Sequence, residues 1–167
     1  QAYTVQVTGA NGTRGVALAE AYDGSETLSP GEARLVNVSA RTVAGTGDNT
    51  LTAGFVVGGF TARTVLIRAV GPGLDRFGMG GTLLNPKLEV FSGGAKIAEN
   101  NDWDANALTS VFRAAGAFPL MASSADAALV TTLEPGAYTV QVSGAPVTGT
   151  PGDRSISGVT LIEVYEL

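Results

Sequence analysis

Residues Ala2-Tyr3-Thr4-Val5-Gln6-Val7 return letter for letter as Ala137-Tyr138-Thr139-Val140-Gln141-Val142. The likeness runs on, with Thr8-Gly9-Ala10 answering Ser143-Gly144-Ala145 and the run from Gly15 to Asp23 answering that from Gly158 to Glu166. Matched positions stand 135 apart before the intervening loop and 143 after it, so the second copy carries eight more loop residues. Such a chain starts on the tail of one unit and then supplies a whole one. Self-similarity at a long period marks arrays whose units need their neighbours. The expected organisation is a β-hairpin over 1–23 that repeats the C-terminal hairpin and completes a neighbouring unit. A linker over 24–33 and the full unit over 34–167 follow.

The rest of the chain reads as all-β: short apolar runs separated by Gly, Pro, Asn and Asp. Over 3–7, Tyr3, Val5 and Val7 alternate with polar residues, as on a strand with one buried face. Asn11-Gly12 is a hairpin-turn pair, and 16–22 is apolar on nearly both faces, as in a strand covered twice. Further strands are expected over 34–40, 50–57, 63–70, 88–91, 96–99, 127–133, 138–142 and 159–165. One short helix is expected, capped by Asp104 and ended by Gly116, because Leu108, Val111, Phe112 and Ala115 fall on one helical face. The fold class is an antiparallel β-sandwich, jelly-roll-like, with one short helix.

Composition narrows the function classes. Charged residues make up 15% of the chain, against about 25% in an average soluble domain. A sparse charge load suits a surface covered by other copies, and equally one whose polarity comes from Thr, Ser, Asn and Gly. With 10 basic against 15 acidic residues and no basic run, nucleic acid is not expected as a partner. No run of 18 apolar residues is present to span a membrane. The chain has neither Cys nor His, which removes disulfides, thiolate metal sites and the commonest acid–base group near neutral pH. An enzyme is not expected.

Several phrases resemble a known kind of repeat. They are Arg34-Leu-Val-Asn-Val-Ser-Ala-Arg41, Gly45-Thr-Gly-Asp-Asn49, Gly54-Phe-Val-Val-Gly-Gly59 and Val65-Leu-Ile-Arg-Ala-Val-Gly-Pro72, then Asn101-Asp-Trp103, Gly116-Ala-Phe-Pro-Leu120, Asp126-Ala-Ala-Leu129 and Pro135-Gly-Ala-Tyr-Thr-Val-Gln-Val142. In order and spacing they resemble a tandem β-sandwich repeat of large secreted or surface proteins of environmental bacteria. The stretch 88–142 is also similar to bacterial pre-peptidase C-terminal domains, jelly-roll-like sandwiches attached to secreted enzymes and sometimes calcium-binding. Both resemblances imply an extracellular or cell-surface location.

Candidate sites follow from these readings. The loop 100–106 (Asn-Asn-Asp-Trp-Asp-Ala-Asn) sets side-chain oxygens at alternate positions, as a hard cation such as calcium requires. Asn100, Asp102 and Asp104, with Asp126 as a distant helper, form that candidate site, set against the plainer reading of Asp104 as a helix cap. Trp103 is weighed as a sugar-stacking ring against a plug for the end of the sandwich. The glycine-rich run 71–81 lacks the Gly-Lys-Ser/Thr ending of a phosphate loop. The candidate interface with a neighbouring copy is Tyr3, Val5, Val7, Val16, Leu18 and Tyr22.

An exposed strand edge aggregates unless it is covered. Residues 1–23 are surplus to a unit that holds its own copy. They either complete a preceding unit, insert into another copy, or pair within the chain. The expected function is therefore a structural subunit or repeat of an extracellular filament or surface array, assembled head-to-tail by strand complementation with copies of itself. A calcium- or carbohydrate-binding module of a secreted multidomain protein is the competing expectation.

Overall fold

A computed structural model describes residues 3–13, 15–21, 35–147 and 156–167. The chain divides into two compact units, Gln1–Leu35 and Val36–Leu167.

The second unit holds eight strands: β1 (Asn37–Ala44), β2 (Leu51–Val57), β3 (Arg63–Val70), β4 (Pro86–Ser92), β5 (Ala95–Asn100), β6 (Ala127–Leu133), β7 (Gly136–Gly144) and β8 (Gly158–Glu166). They form two four-stranded sheets, ordered β1-β8-β3-β6 and β2-β7-β4-β5, with every neighbouring pair antiparallel. This is the strand order of an eight-stranded jelly roll, in which the chain crosses from one sheet to the other at nearly every turn. The core between the sheets is built from alternate residues: Val65, Ile67 and Ala69 of β3, Leu88 and Val90 of β4, Tyr138, Val140 and Val142 of β7, and Ile162 of β8.

A helix, α1 (Ala105–Ala114), lies on the outer face of the first sheet. Asp104 caps it, its Oδ1 accepting from the backbone N–H of Asn106 (2.8 Å) and of Ala107 (3.3 Å). At the far end Gly116 takes φ +72°, and the Ala117 and Gly116 amides donate back to Phe112 O (2.9 Å) and Arg113 O (3.3 Å). That pair of bonds ends the helix in the left-handed manner its glycine allows. Leu108 and Phe112 press on Leu66 and Val70 of β3, while Val159, Leu161 and Tyr165 of β8 pack against the same cluster. Strands β3 and β8 are thus covered on both faces, which accounts for their nearly continuous apolar sequence. Among the described residues, no helix is long and apolar enough to cross a membrane.

Two expectations need correction. Strand β1 runs over Asn37–Ala44, three to four residues later than 34–40, because its ladder is set by β8, with Asn37 opposite Tyr165 and Ala44 opposite Gly158. The Tyr138 and Tyr165 strands are not a hairpin. β7 lies between β2 and β4, β8 lies between β1 and β3, and the two face each other across the core. Each has an apolar inner face and two strand neighbours of its own, a more complete burial than pairing with one another.

Candidate assembly interface

In the first unit, Asn11 (φ 54°, ψ 32°) and Gly12 (φ 74°) are both left-handed. Thr13 closes the turn, its N–H 3.1 Å and its hydroxyl 2.8 Å from Ala10 O. Two successive left-handed residues are the signature of the turn that Asn-Gly favours. On either side the described residues run without forming a strand ladder. An open groove of about 400 Å³ separates the two arms between Val7–Gly9 and Gly15–Ala17. Two strands without a third surface to cover them are marginal in water. Gly9 and its counterpart Gly144 share one constraint: a Cβ would strike the backbone oxygen of Thr13 in the first copy and of Ile156, its matched position, in the second.

The repeated sextet therefore exists in two environments. As β7, Tyr138 is 8% exposed and Val140 and Val142 are fully buried; in the first unit, Tyr3 is 84%, Val5 78% and Val7 57% exposed. Val16 and Leu18 are likewise open to solvent. Tyr22 lies outside the described residues.

The candidate cation ligands do not converge. Asn100 Oδ1 accepts from Ala128 N (2.9 Å) and its amide donates to Asp102 O (3.0 Å). Asp104 is spent on the helix cap. Asp102 is exposed, with Asn101 Nδ2 3.4 Å from its Oδ2. Asp126 does come beside the loop, but through its backbone: Trp103 N donates to Asp126 O (3.0 Å). Its buried carboxylate is taken up by other donors, Oδ1 accepting from Gly71 N (2.8 Å) and Gly73 N (3.1 Å) and Oδ2 from the Ser124 hydroxyl (2.7 Å). The glycine-rich run after β3 is thus a nest of amides around an anion supplied by the chain itself. Among the described residues, no group of three or more acidic side chains is arranged to hold a metal.

Trp103 is 7% exposed, stacked on Phe112 with centroids 5.0 Å apart, its indole N–H 3.3 Å from Met121 O and 3.2 Å from Ser124 Oγ. A ring so covered is a plug. The cleft beside it, lined by Phe112, Ala117, Pro119 and Leu120, encloses about 210 Å³. Small-molecule sites usually span about 300–1,000 Å³.

Sequence reasoning missed a buried ionic cluster under α1. Arg68 of β3 is fully buried, directly opposite Glu163 of β8, with Nε 3.1 Å from Glu163 Oε2. Its Nη1 donates to Phe118 O (2.8 Å), and the guanidinium lies 4.6 Å from the Phe112 ring centroid and 4.3 Å from that of Phe118. Burial pulls the guanidinium's pKa down, opposed chiefly by Glu163. Tyr165 donates to Glu163 Oε1 (2.7 Å), and burial followed by that bond pushes its phenol up. The available signal was a charge at a helix-facing position of a strand apolar on both sides. The first copy keeps the acid and the phenol as Glu20 and Tyr22.

The two sides of the sandwich differ. At the β5/β6 side the loop after β5 laces the sheets together through the Ala128–Asn100 and Trp103–Asp126 bonds. Strand β5 also carries Lys96 and Glu99, which with Lys87 and Glu89 form four ion pairs of 2.6–3.1 Å. At the β1/β2 side, Val38 is 39% exposed and Ala40 and Thr42 are exposed, although all three share the inward face of β1 with the buried Ala44. Leu51, Ala53 and Phe55, the inward residues of β2, are only partly buried. β2 has neither charge nor proline to guard its edge.

No family model matches the chain, and no curated protein does. Among solved structures it is similar to the pre-peptidase C-terminal domain of a collagenase from Bacillus anthracis, with 14% identity, a TM-score of 0.44, and coverage of 77% of this chain and 89% of that one.

Proposed function

We propose that the chain is a non-catalytic structural unit of an extracellular bacterial filament or surface array, joined to its neighbours by β-strand complementation through residues 1–23. One observation carries the reading: the repeated Tyr-x-Val-x-Val pattern is buried as Tyr138, Val140 and Val142 in a central strand and exposed as Tyr3, Val5 and Val7 in the first unit. The exposed copy has the apolar alternation of a strand without the sheet that such a strand needs. Covering Tyr3, Val5 and Val7 is worth about 1.5–3 kcal/mol per fully buried side chain before ordering costs are deducted.

Removal of residues 1–23 tests this. The truncated chain is expected to keep the cooperative unfolding of the sandwich and to stay monomeric in light scattering, while the full chain assembles. Equal assembly by both would remove the leading segment from the mechanism.

A further inference from the structure

The strand-complementation reading leaves open where a donated segment goes, since the place of β7 and β8 in each sandwich is already filled. We propose that the acceptor is the β1/β2 side of a second copy, with residues 3–7 adding to the edge of β2, and residues 16–21 to the edge of β1, that pairs with no strand among the described residues.

The geometry that carries this is the division of β7 and β8 between the sheets. β7 pairs antiparallel with β2, and β8 antiparallel with β1. β1 and β2 are in turn the outermost strands on one side of the sandwich, one in each sheet. A second β7–β8-like pair can therefore occupy the same relation to β1 and β2 from their other edges, displaced by two strand spacings, or about 9–10 Å. Both sheets grow by one strand in a single docking event.

Register follows from pairings already present. Phe55, Ala53 and Leu51 stand opposite Tyr138, Val140 and Val142, and Phe55 stacks on Tyr138 with ring centroids 5.7 Å apart. The donated sextet sets Tyr3, Val5 and Val7 against the same three residues and covers the inward faces that are now partly exposed. The register also conserves the alternation of hydrogen-bonded and non-hydrogen-bonded pairs across an antiparallel sheet. On the first sheet, Val38, Ala40 and Thr42 stand opposite Val164, Ile162 and Thr160. Their counterparts in the donor are Ala21, Ala19 and Ala17, small side chains suited to the narrow margin of a sandwich.

Charge agrees as well. Glu163 is opposite Ser39 and Leu161 opposite Arg41, so the donor's Glu20 falls beside Ser39 and diagonal to Arg41, on one outer face. Long side chains reach across that diagonal. Arg41 is the only charged residue of β1. The opposite side offers no equivalent, being laced by the Asn100 and Trp103 bonds and lined by the charges of β5.

The chain has no cysteine, so introduced ones are unique. Full-length Val5→Cys and full-length Ala53→Cys are mixed under assembling conditions and oxidised, with Ala98→Cys, the inward residue of β5, replacing Ala53→Cys as the control. The expected result is an interchain disulfide with Ala53→Cys and none with Ala98→Cys. Full-length Ala40→Glu, at an exposed position that docking would bury, is expected to raise the concentration for half-assembly at least tenfold without changing the monomer's melting. Assembly without the Val5–Ala53 crosslink, or with equal crosslinking at Ala98, overturns the acceptor and leaves strand complementation standing. A Val5→Cys/Ala53→Cys chain that closes its disulfide as a monomer overturns the requirement for a second copy. An unsubstituted chain that never assembles overturns both readings.

Discussion

Val5 and Val140 occupy the same place in the repeated sextet, one 78% exposed and the other fully buried. Replacing each by Ala removes the same atoms from two environments. At Val140 the loss is roughly two carbon groups at about 0.8 kcal/mol each, plus a cavity term, since Val140 stands between Val90 and Ala53 in its sheet and belongs to the core cluster between the sheets. The sum is about 2–3 kcal/mol. For a unit of this size that lowers the melting temperature by on the order of 10 °C. At Val5 the monomer should lose less than about 0.5 kcal/mol, as at other exposed positions. Its effect should fall on assembly, where Val5 is to be covered. Urea and thermal unfolding below the assembly concentration, followed by light scattering above it, separate the two. Equal destabilisation of the monomer by both substitutions would refute the reasoning, because it would mean that Val5 is already packed.

Arg68→Ala should cost about 3–5 kcal/mol by leaving Glu163 buried without its partner, whereas Arg68→Met with Glu163→Gln should cost much less; a double-mutant cycle by urea denaturation measures the difference. Hydrogen bonds from Lys96 and then Lys87 hold the Glu99 carboxylate at about 2, and Glu89 is lowered by the same lysines. A depressed folded pKa stabilises above the unfolded value of about 4.3 and loses that contribution as pH falls toward 2, so melting curves from pH 5 to 2 should fall less steeply for Glu99→Gln. With Asp104 and Asp126 committed to backbone amides, millimolar calcium should leave the melting temperature within about 1 °C of the chelated protein, and a rise of several degrees would favour the binding-module reading. Asp126→Ala should destabilise by about 2–4 kcal/mol, as the Gly71 and Gly73 amides lose their acceptor, an effect visible in urea denaturation.

Much of the sandwich is legible in the sequence because its signals are local. β3 and β6 fall at 63–70 and 127–133 as the apolar pattern predicts, and Asp104 and Gly116 mark the ends of α1 by their side chain and backbone chemistry. What depends on partners was harder to read. The start of β1 follows its ladder with β8, since Leu35 and Val36 continue the apolar pattern without joining the strand. The separation of β7 from β8 had one overlooked signal: the connection from Gly144 to Gly158 is far longer than a hairpin loop of about 2–5 residues. The short Asn11-Gly12 turn of the first copy concealed it. Oxygens spaced along 100–106 suggested a cation, yet convergence is a property of three dimensions, and Asp126 turns its carboxylate to Gly71 and Gly73 instead. The Arg68–Glu163 pair is invisible until the register of β3 and β8 is known.

The central claim is that these units join through donated strands, and the most direct test is negative-stain electron microscopy of the purified full chain paired with its intact mass. Filaments or arrays built from particles of one-chain mass are the predicted result. Discrete monomers at every concentration would contradict it.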